Sequence, residues 1–442
     1  MMLSPAGPGR RELLLLAGAE ALERFSYYGV RGLLVLFLTA SAANGGLEWG
    51  IRPALQLLGW SIALAYTLPV AGGWLADRFF GRRTAVHAGA AVLVAAYGLL
   101  AGSALWRSSP LMLAALALVA VGTGLFKPNI TALVGSLFDG DEAGREGGFL
   151  VFYLFMNLGV LFCGVVIGTL GEVIGWHLGF LGAAIAMVIA AAVFARGKAG
   201  RGALPSSSAG RDASGKSRRP FDSRERAGIV AIAILGIFAT LFWMGLEQSS
   251  GLLNLFAYER TQRAVFGMTI PATWFQSVNP LYIVALAPGF AWLWGRLATR
   301  GADPRTEWKF VIGLVATGCA FAVMSIAAGA KPAGGLVSPV WLLIAYLLLT
   351  IGELCIWTIS LAAVTRLSPE RHAGSIVGLW YLAIAIGGWL AGQAGSLAGD
   401  VDIAKVFTLL ACIFVAAAVL LAGLAPLTSR LMRRALHSGD DR

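Results

Sequence analysis

A chain of 442 residues that is 58% hydrophobic and only 13% charged, with a mean hydropathy of +0.76, is not an ordinary soluble globule. Soluble domains carry about 25% charged residues. The net charge of +11 would suit a nucleic-acid partner if it formed a patch on a polar domain. Here the basic residues occupy short gaps between apolar runs, which points to lipid headgroups and membrane topology and argues against nucleic acid.

Apolar runs long enough for a membrane helix of about 20 residues recur at 12–40, 53–76, 84–105, 110–136, 148–170 and 177–195, and again at 227–257, 273–297, 308–329, 338–365, 372–395 and 403–427. The predicted fold class is an all-α integral membrane protein with about twelve transmembrane helices. Arg10-Arg11 followed by Leu13-Leu14-Leu15-Leu16-Ala17-Gly18-Ala19 imitates a secretory signal. Glu20, Glu23 and Arg24 interrupt that pattern and the apolar run resumes at Val30, so the segment reads as the first membrane helix. Residues 196–226 are rich in Ser, Gly, Lys and Arg without an apolar period, which predicts a loosely ordered linker. It divides an N-terminal six-helix bundle, 1–195, from a C-terminal one, 227–427, and leaves 428–442 as a tail.

Basic residues set the orientation. With the N-terminus cytoplasmic, only Arg52, Arg107, Arg260, Arg263, Lys331 and Lys405 fall outside, and most of the 34 Lys and Arg fall inside. An even number of spans then places both termini in the cytoplasm, with the linker and tail beside them. Two six-helix halves suggest parallel bundles around a central cavity. Gly72-Gly73-Trp74-Leu75-Ala76-Asp77-Arg78-Phe79-Phe80-Gly81-Arg82-Arg83 resembles the loop signature of the major facilitator superfamily. Its glycines permit a tight turn, and Asp77 can pair with the neighbouring arginines. The matching gap of the second half, Gly295 to Lys309, keeps the basic character and only an echo of the pattern.

A charge at mid-bilayer costs at least about 2.5–3.5 kcal/mol, so each one in a span marks a functional candidate. At 100° per residue, Glu20, Glu23, Arg24, Tyr27, Tyr28 and Arg31 share one helical face. Glu20 and Arg24 have the i, i+4 spacing of a salt bridge. Span four carries Lys127 before Pro128 and Asn129. Its ammonium needs a carboxylate in at least one state, and Glu353 of span ten and Glu247 of span seven are available. Tyr153 and Asn157 lie one turn apart in span five, and span eight opens on Trp274 and Asn279-Pro280. Cys163, Cys319, Cys355 and Cys412 fall in apolar stretches without metal spacing and read as buried thiols. No metal site or cofactor is expected. His87, His177, His372 and His437 stand at span ends or in polar segments, leaving proton chemistry to carboxylates or lysine.

Glu20-Ala21-Leu22-Glu23-Arg24-Phe25-Ser26-Tyr27-Tyr28-Gly29 matches ExxERFxYYG and resembles the first-helix signature of the proton-dependent oligopeptide transporter family. Phe152-Tyr153-Leu154-Phe155-Met156-Asn157-Leu158-Gly159 is similar to the family's FYxxINxG, with Met156 in place of isoleucine. The surroundings of Lys127, Glu247, Asn279, Glu353 and Gly378-Leu379-Trp380 resemble the family too, so the resemblance spans the transport core. It departs in lacking the two extra helices of many bacterial members and the large extracellular insertion of animal members. Only a turn, Ala330 to Ser338, stands at that insertion point.

The resemblance implies proton-driven import of di- and tripeptides by alternating access, in the cell (inner) membrane, with protons as coupling ion and no enzymatic activity. It implies that Arg24 and Lys127 hold the peptide carboxylate and Glu353 the ammonium. Asn157 and Asn279 would bond the peptide backbone or terminus, and Tyr27, Tyr28, Tyr66, Trp243 and Trp380 would form adaptable walls. Proton coupling would rest on Glu20, Glu23, Arg24 and Glu353, and gating on the pair Arg31 and Glu247. The alternative is a proton-coupled transporter of another small solute, such as nitrate, a modified peptide or a drug. Oligomeric state has no signature in the sequence.

Overall fold

The computed structural model describes residues 8–138, 141–200, 220–265, 267–330, 335–369 and 372–436. The interior of the predicted linker, 201–219, part of the turn at 331–334 and His437 lie outside the described residues. Six long helices come first: α1 (Pro8–Thr39), α2 (Ile51–Leu75), α3 (Arg82–Trp106), α4 (Ser109–Ser136), α5 (Glu142–Thr169) and α6 (Trp176–Arg196). Then follow α7 (Ser223–Leu246), α8 (Leu252–Arg260), α9 (Val278–Thr299), α10 (Thr306–Gly329), α11 (Val340–Leu367), α12 (Ala373–Ser396) and α13 (Ile403–Leu436). A short antiparallel hairpin, β1 (Ala264–Val265) with β2 (Met268–Thr269), precedes α9.

Among the described residues, 11 helical segments are long and apolar enough to cross a membrane. Helix α1, with 32 residues, is the twelfth long segment, and its inward charges set it apart from the others. The described residues are all-α apart from that hairpin and an isolated bridge between Thr261 and Val337, as expected from the apolar runs. Exposed positions are heavily apolar, including Ile185, Val188 and Ile189 on α6 and Val415, Val419 and Leu420 on α13. A surface of that kind is stable against lipid and not against water.

The residues gather into two compact units. The first comprises Met1–Gly50, Leu64–Gly215 and Ala264–Pro280, and the second Ile51–Ala63, Lys216–Arg263 and Leu281–Arg442. Unit membership therefore does not follow a single cut at the linker: the start of α2 groups with the second unit, and the segment 264–280 with the first. In the first unit, α3 packs on α4 and α6, and α1 on α5 and α6. In the second, α10 packs on α11 and α13, and α7 on α12 and α13. Phe321 stacks on Phe414 there, with ring centres 5.5 Å apart and planes at 13°.

Several sequence expectations need correction. Gly72 and Gly73 lie inside α2 and form no turn. A Cβ at Gly72 would collide with the Gly124 carbonyl of α4, so this glycine serves helix contact. The turn falls at Gly81, whose φ of 78° favours glycine, after a π-turn at Ala76–Phe80. Asp77 pairs with Arg82 at 2.9 Å. The predicted span 227–257 is interrupted by a 3-10 turn, Glu247–Ser249. Its backbone is partly satisfied by Tyr346, whose hydroxyl donates to the Ser249 carbonyl at 3.1 Å, as non-helical backbone in a membrane requires. The predicted tail is helical through Leu436, with Thr428 and Ser429 buried. Two of the four thiols, Cys319 and Cys412, are exposed on helix surfaces, while Cys163 and Cys355 are buried.

Candidate functional site

The inner face of α1 carries the first part of the site. Glu20 and Glu23 are wholly buried, and the Arg24 side chain is 12% exposed. One turn of helix brings Glu20 beneath Arg24: Nε donates to Glu20 Oε1 at 2.8 Å, and Nη2 lies 2.7 Å from the same oxygen. Glu23 Oε2 stands 3.7 Å from Arg24 Nε, an ion-pair distance longer than a hydrogen bond. Neither oxygen of Glu23 accepts a hydrogen bond among the described residues. Arg24 is thus committed to one carboxylate and only attracted by the other.

Lys127 enters from α4. It is 8% exposed, and its Nζ makes no hydrogen bond among the described residues. Aromatic faces receive the ammonium instead, with Nζ 4.3 Å from the Tyr27 ring centre and 5.1 Å from that of Tyr66. Tyr28 meets Tyr27 edge-on at 5.3 Å, and its hydroxyl lies 3.3 Å from that of Tyr66. Arg31 Cζ stands 5.3 Å from the Tyr28 ring centre. Lys127 is within electrostatic reach of Glu20, Glu23, Arg24 and Arg31. The first unit therefore brings Glu20, Glu23, Arg24, Tyr27, Tyr28, Arg31, Tyr66 and Lys127 into one neighbourhood of alternating charge and aromatic surface.

Pro128 has no N–H to offer the carbonyl four residues earlier. Next to it, the Asn129 amide donates to the Leu125 carbonyl at 2.8 Å and to the Gly72 carbonyl at 3.4 Å, tying α4 to α2. Tyr97 and Thr123 are wholly buried in the same unit, and their hydroxyls make no hydrogen bond among the described residues. Sequence reasoning missed both, because a lone Tyr or Thr in an apolar helix carries no distinguishing spacing.

The two asparagines are placed differently. Asn157 turns back on its own helix, donating to the Tyr153 carbonyl at 2.9 Å, and makes no hydrogen bond to the α1 cluster. Asn279 is half-buried in the first turn of α9.

The second unit holds the remaining candidates. Trp243 and Trp380 are buried, as is Glu247 in the 3-10 turn after α7; Glu353 on α11 is half-buried. Trp243 packs edge-on against Trp357 at 5.3 Å, and Trp357 meets Tyr381 at 6.1 Å. Gln248 is buried and donates to the Ala391 carbonyl of α12 at 2.9 Å. Trp357 and Tyr381 thus join Trp243 in an aromatic cluster of the second unit that the sequence did not point to. The carboxylates expected to partner Lys127 and Arg31, Glu353 and Glu247, belong to the second unit and the two cations to the first.

Chemically, such clusters can bind a small molecule carrying both charges and can hold or release a proton at a buried carboxylate. No group of three or more His, Cys, Asp or Glu side chains able to hold a metal ion occurs among the described residues.

The chain's relatives bear on this arrangement. The model of the PTR2 family, described as the POT family, matches residues 83–208 and 212–410. The peptide transporter YePEPT of Yersinia enterocolitica is 33% identical, over 85% of this chain and 86% of its own length. The di-/tripeptide transporter of Lactococcus lactis subsp. cremoris is 30% identical, over 84% of this chain and 86% of its own. A crystal structure of the peptide transporter POT in complex with sulfate superposes with a TM-score of 0.86 at 30% identity, covering 96% of both chains.

Proposed function

This chain belongs to the POT family, a multi-pass membrane transporter family, and on that premise we propose that it is a proton-coupled symporter importing di- and tripeptides. The observation that carries the reading is the buried first-unit cluster of Glu20, Glu23, Arg24 and Lys127 lined by Tyr27, Tyr28 and Tyr66. A dipeptide zwitterion requires cations for its carboxylate, an anion for its ammonium and walls tolerant of any side chain. The relatives' names, a peptide transporter and a di-/tripeptide transporter, support the same substrate class.

In this reading Arg24 and Lys127 take the peptide carboxylate and Glu353 the ammonium. Asn157 and Asn279 bond the peptide backbone, while Trp243 and Trp380 join the tyrosines as walls. Asn157 has to turn from the Tyr153 carbonyl to do so. The proton resides on Glu23. Its carboxylate is attracted by Arg24 without being hydrogen-bonded to it, so taking up a proton there breaks no hydrogen bond to Arg24. Glu20 holds Arg24 oriented, and Arg31 with Glu247 forms the gate. The protein sits in the cell (inner) membrane with both termini cytoplasmic, as the distribution of Lys and Arg supports. Its chemistry is displacement of solute without bond breaking, and no cofactor beyond the coupling proton is required.

Uptake of labelled dialanine into proteoliposomes, with and without an inward proton gradient, tests the proposal. Accumulation above the equilibrium level with the gradient, abolished by an ionophore and competed by trialanine, is the expected result. Uptake indifferent to the gradient, or none that unlabelled dialanine competes, overturns it.

A further inference from the structure

The first N–H groups of a helical segment have no acceptor within it. The 3-10 turn Ala272–Ser277, which leads directly into α9, begins after Pro271, and no side chain at its own N-cap serves it. Its acceptor comes from elsewhere in the first unit: Glu172, in the π-turn Leu170–Ile174 that closes α5. Glu172 Oε2 accepts from the Ala272 N–H at 2.8 Å. Oε1 accepts from the Thr273 N–H and from the Thr273 hydroxyl, each at 2.8 Å.

Neighbouring contacts tighten the junction. Thr273 is 1% exposed, with its hydroxyl also 3.3 Å from the Gly164 carbonyl. Trp274 Nε1 donates to the Thr169 hydroxyl at 2.9 Å. Farther along the turn, Gln276 lies so close to α1 that a Cβ on Gly32 would come within 2.8 Å of its Nε2. The next turn carries Asn279. One carboxylate with three donors, two of them backbone, therefore fixes where this short turn begins and hence where the first turn of α9 lies.

We propose that Glu172 is a positioning residue for substrate: it clamps the Ala272–Ser277 turn on α5 so that Asn279 is presented to the peptide. This rests on the role proposed above for Asn279. Carboxylate chemistry is specific here, because the two N–H groups and the hydroxyl named all donate to it. A glutamine would keep one acceptor oxygen and turn an NH2 group toward N–H groups.

The test combines transport with hydrogen exchange on the full-length protein. Dialanine uptake by wild type, Glu172→Gln, Asn279→Ala and the double variant gives KM and Vmax. Amide exchange of the peptide covering 264–280, in nanodiscs, reports the clamp directly. We expect Glu172→Gln to raise KM about five-fold with Vmax within about two-fold, and the double variant to match Asn279→Ala, since residues acting through one another are not additive. Amides of Ala272 and Thr273 should exchange about ten-fold faster. Multiplying KM effects, or a loss confined to Vmax, overturn the inference. So does unchanged exchange, even if wild type transports no dialanine and the proposed substrate is wrong; faster exchange in that case sustains the clamp independently of the substrate.

Discussion

Arg24 directs both of its short contacts, 2.8 and 2.7 Å, to a single oxygen of Glu20. Glu23, its other acidic neighbour, is left at 3.7 Å. The two glutamates of the first helix should therefore fail in different ways. Neutralising Glu20 leaves a nearly buried guanidinium without its nearest counter-charge, at a cost of about 3–5 kcal/mol. Glu20→Gln is expected to lower the melting temperature in detergent and to reduce both driven uptake and exchange. Glu23→Gln should fold normally and exchange labelled for unlabelled dipeptide across the membrane, yet lose accumulation along the proton gradient. Accumulation by Glu23→Gln at wild-type level would remove the proton from that residue.

The ammonium of Lys127 rests on the face of Tyr27 and near that of Tyr66. A buried cation over an aromatic face gains about 1–2 kcal/mol, or roughly five- to thirty-fold in affinity. Tyr27→Leu should therefore cost more in KM than Tyr27→Phe, which keeps the ring. Lys127→Gln removes the charge altogether and should abolish uptake. Equal KM for the Phe and Leu variants would show that the ring face contributes nothing.

Much of this neighbourhood was legible because helical geometry and membrane cost act on sequence directly. The i, i+4 spacing of Glu20 and Arg24 points to their pairing, and Lys127 stands out because a cation in an apolar helix demands a reason. Partners that are backbone groups or distant in sequence leave no such trace. Glu172 is an acid at a span end, yet two of its partners are backbone N–H groups about 100 residues later. Glu307 reads as an ordinary first-turn acid of α10, but it is wholly buried and receives the Ser429 hydroxyl. Gly72 shows a further limit: a small residue for helix contact and one for a turn look identical in sequence, and only the Gly124 carbonyl opposite distinguishes them. The echo in the second half was fainter in sequence than in space, where Lys309 pairs with Asp303 at 2.8 Å much as Arg82 pairs with Asp77 at 2.9 Å.

Trp357 stands edge-on between Trp243 and Tyr381. Edge-to-face pairs contribute about 0.5–1.5 kcal/mol each beyond their buried area. Losing both contacts in Trp357→Ala should unseat Trp243 and raise KM several-fold, most for peptides with large side chains, while Trp357→Phe keeps the edge contact and most of the affinity. A competition series from dialanine to diphenylalanine reads this out. A uniform loss across the series would assign Trp357 to packing alone.

The end of α13 supplies a final test, because helix continues through Leu436 and not merely to 427. Thr428 and Ser429 are buried there, Ser429 donates to the buried Glu307 carboxylate, and Arg305 Nη1 lies 3.4 Å from the same hydroxyl. A chain ending after Leu427 takes away the one hydrogen-bond donor that Glu307 has among the described residues, and an unsatisfied buried acceptor costs about 1–3 kcal/mol or more when charged. Its melting temperature in detergent should fall by several degrees, and Ser429→Ala in the full chain should reproduce part of that fall. If Ser429→Ala melts like wild type while the shorter chain does not, the loss belongs to apolar packing at the α13 end. Equal melting of all three would mean that the Ser429–Glu307 contact contributes nothing to stability.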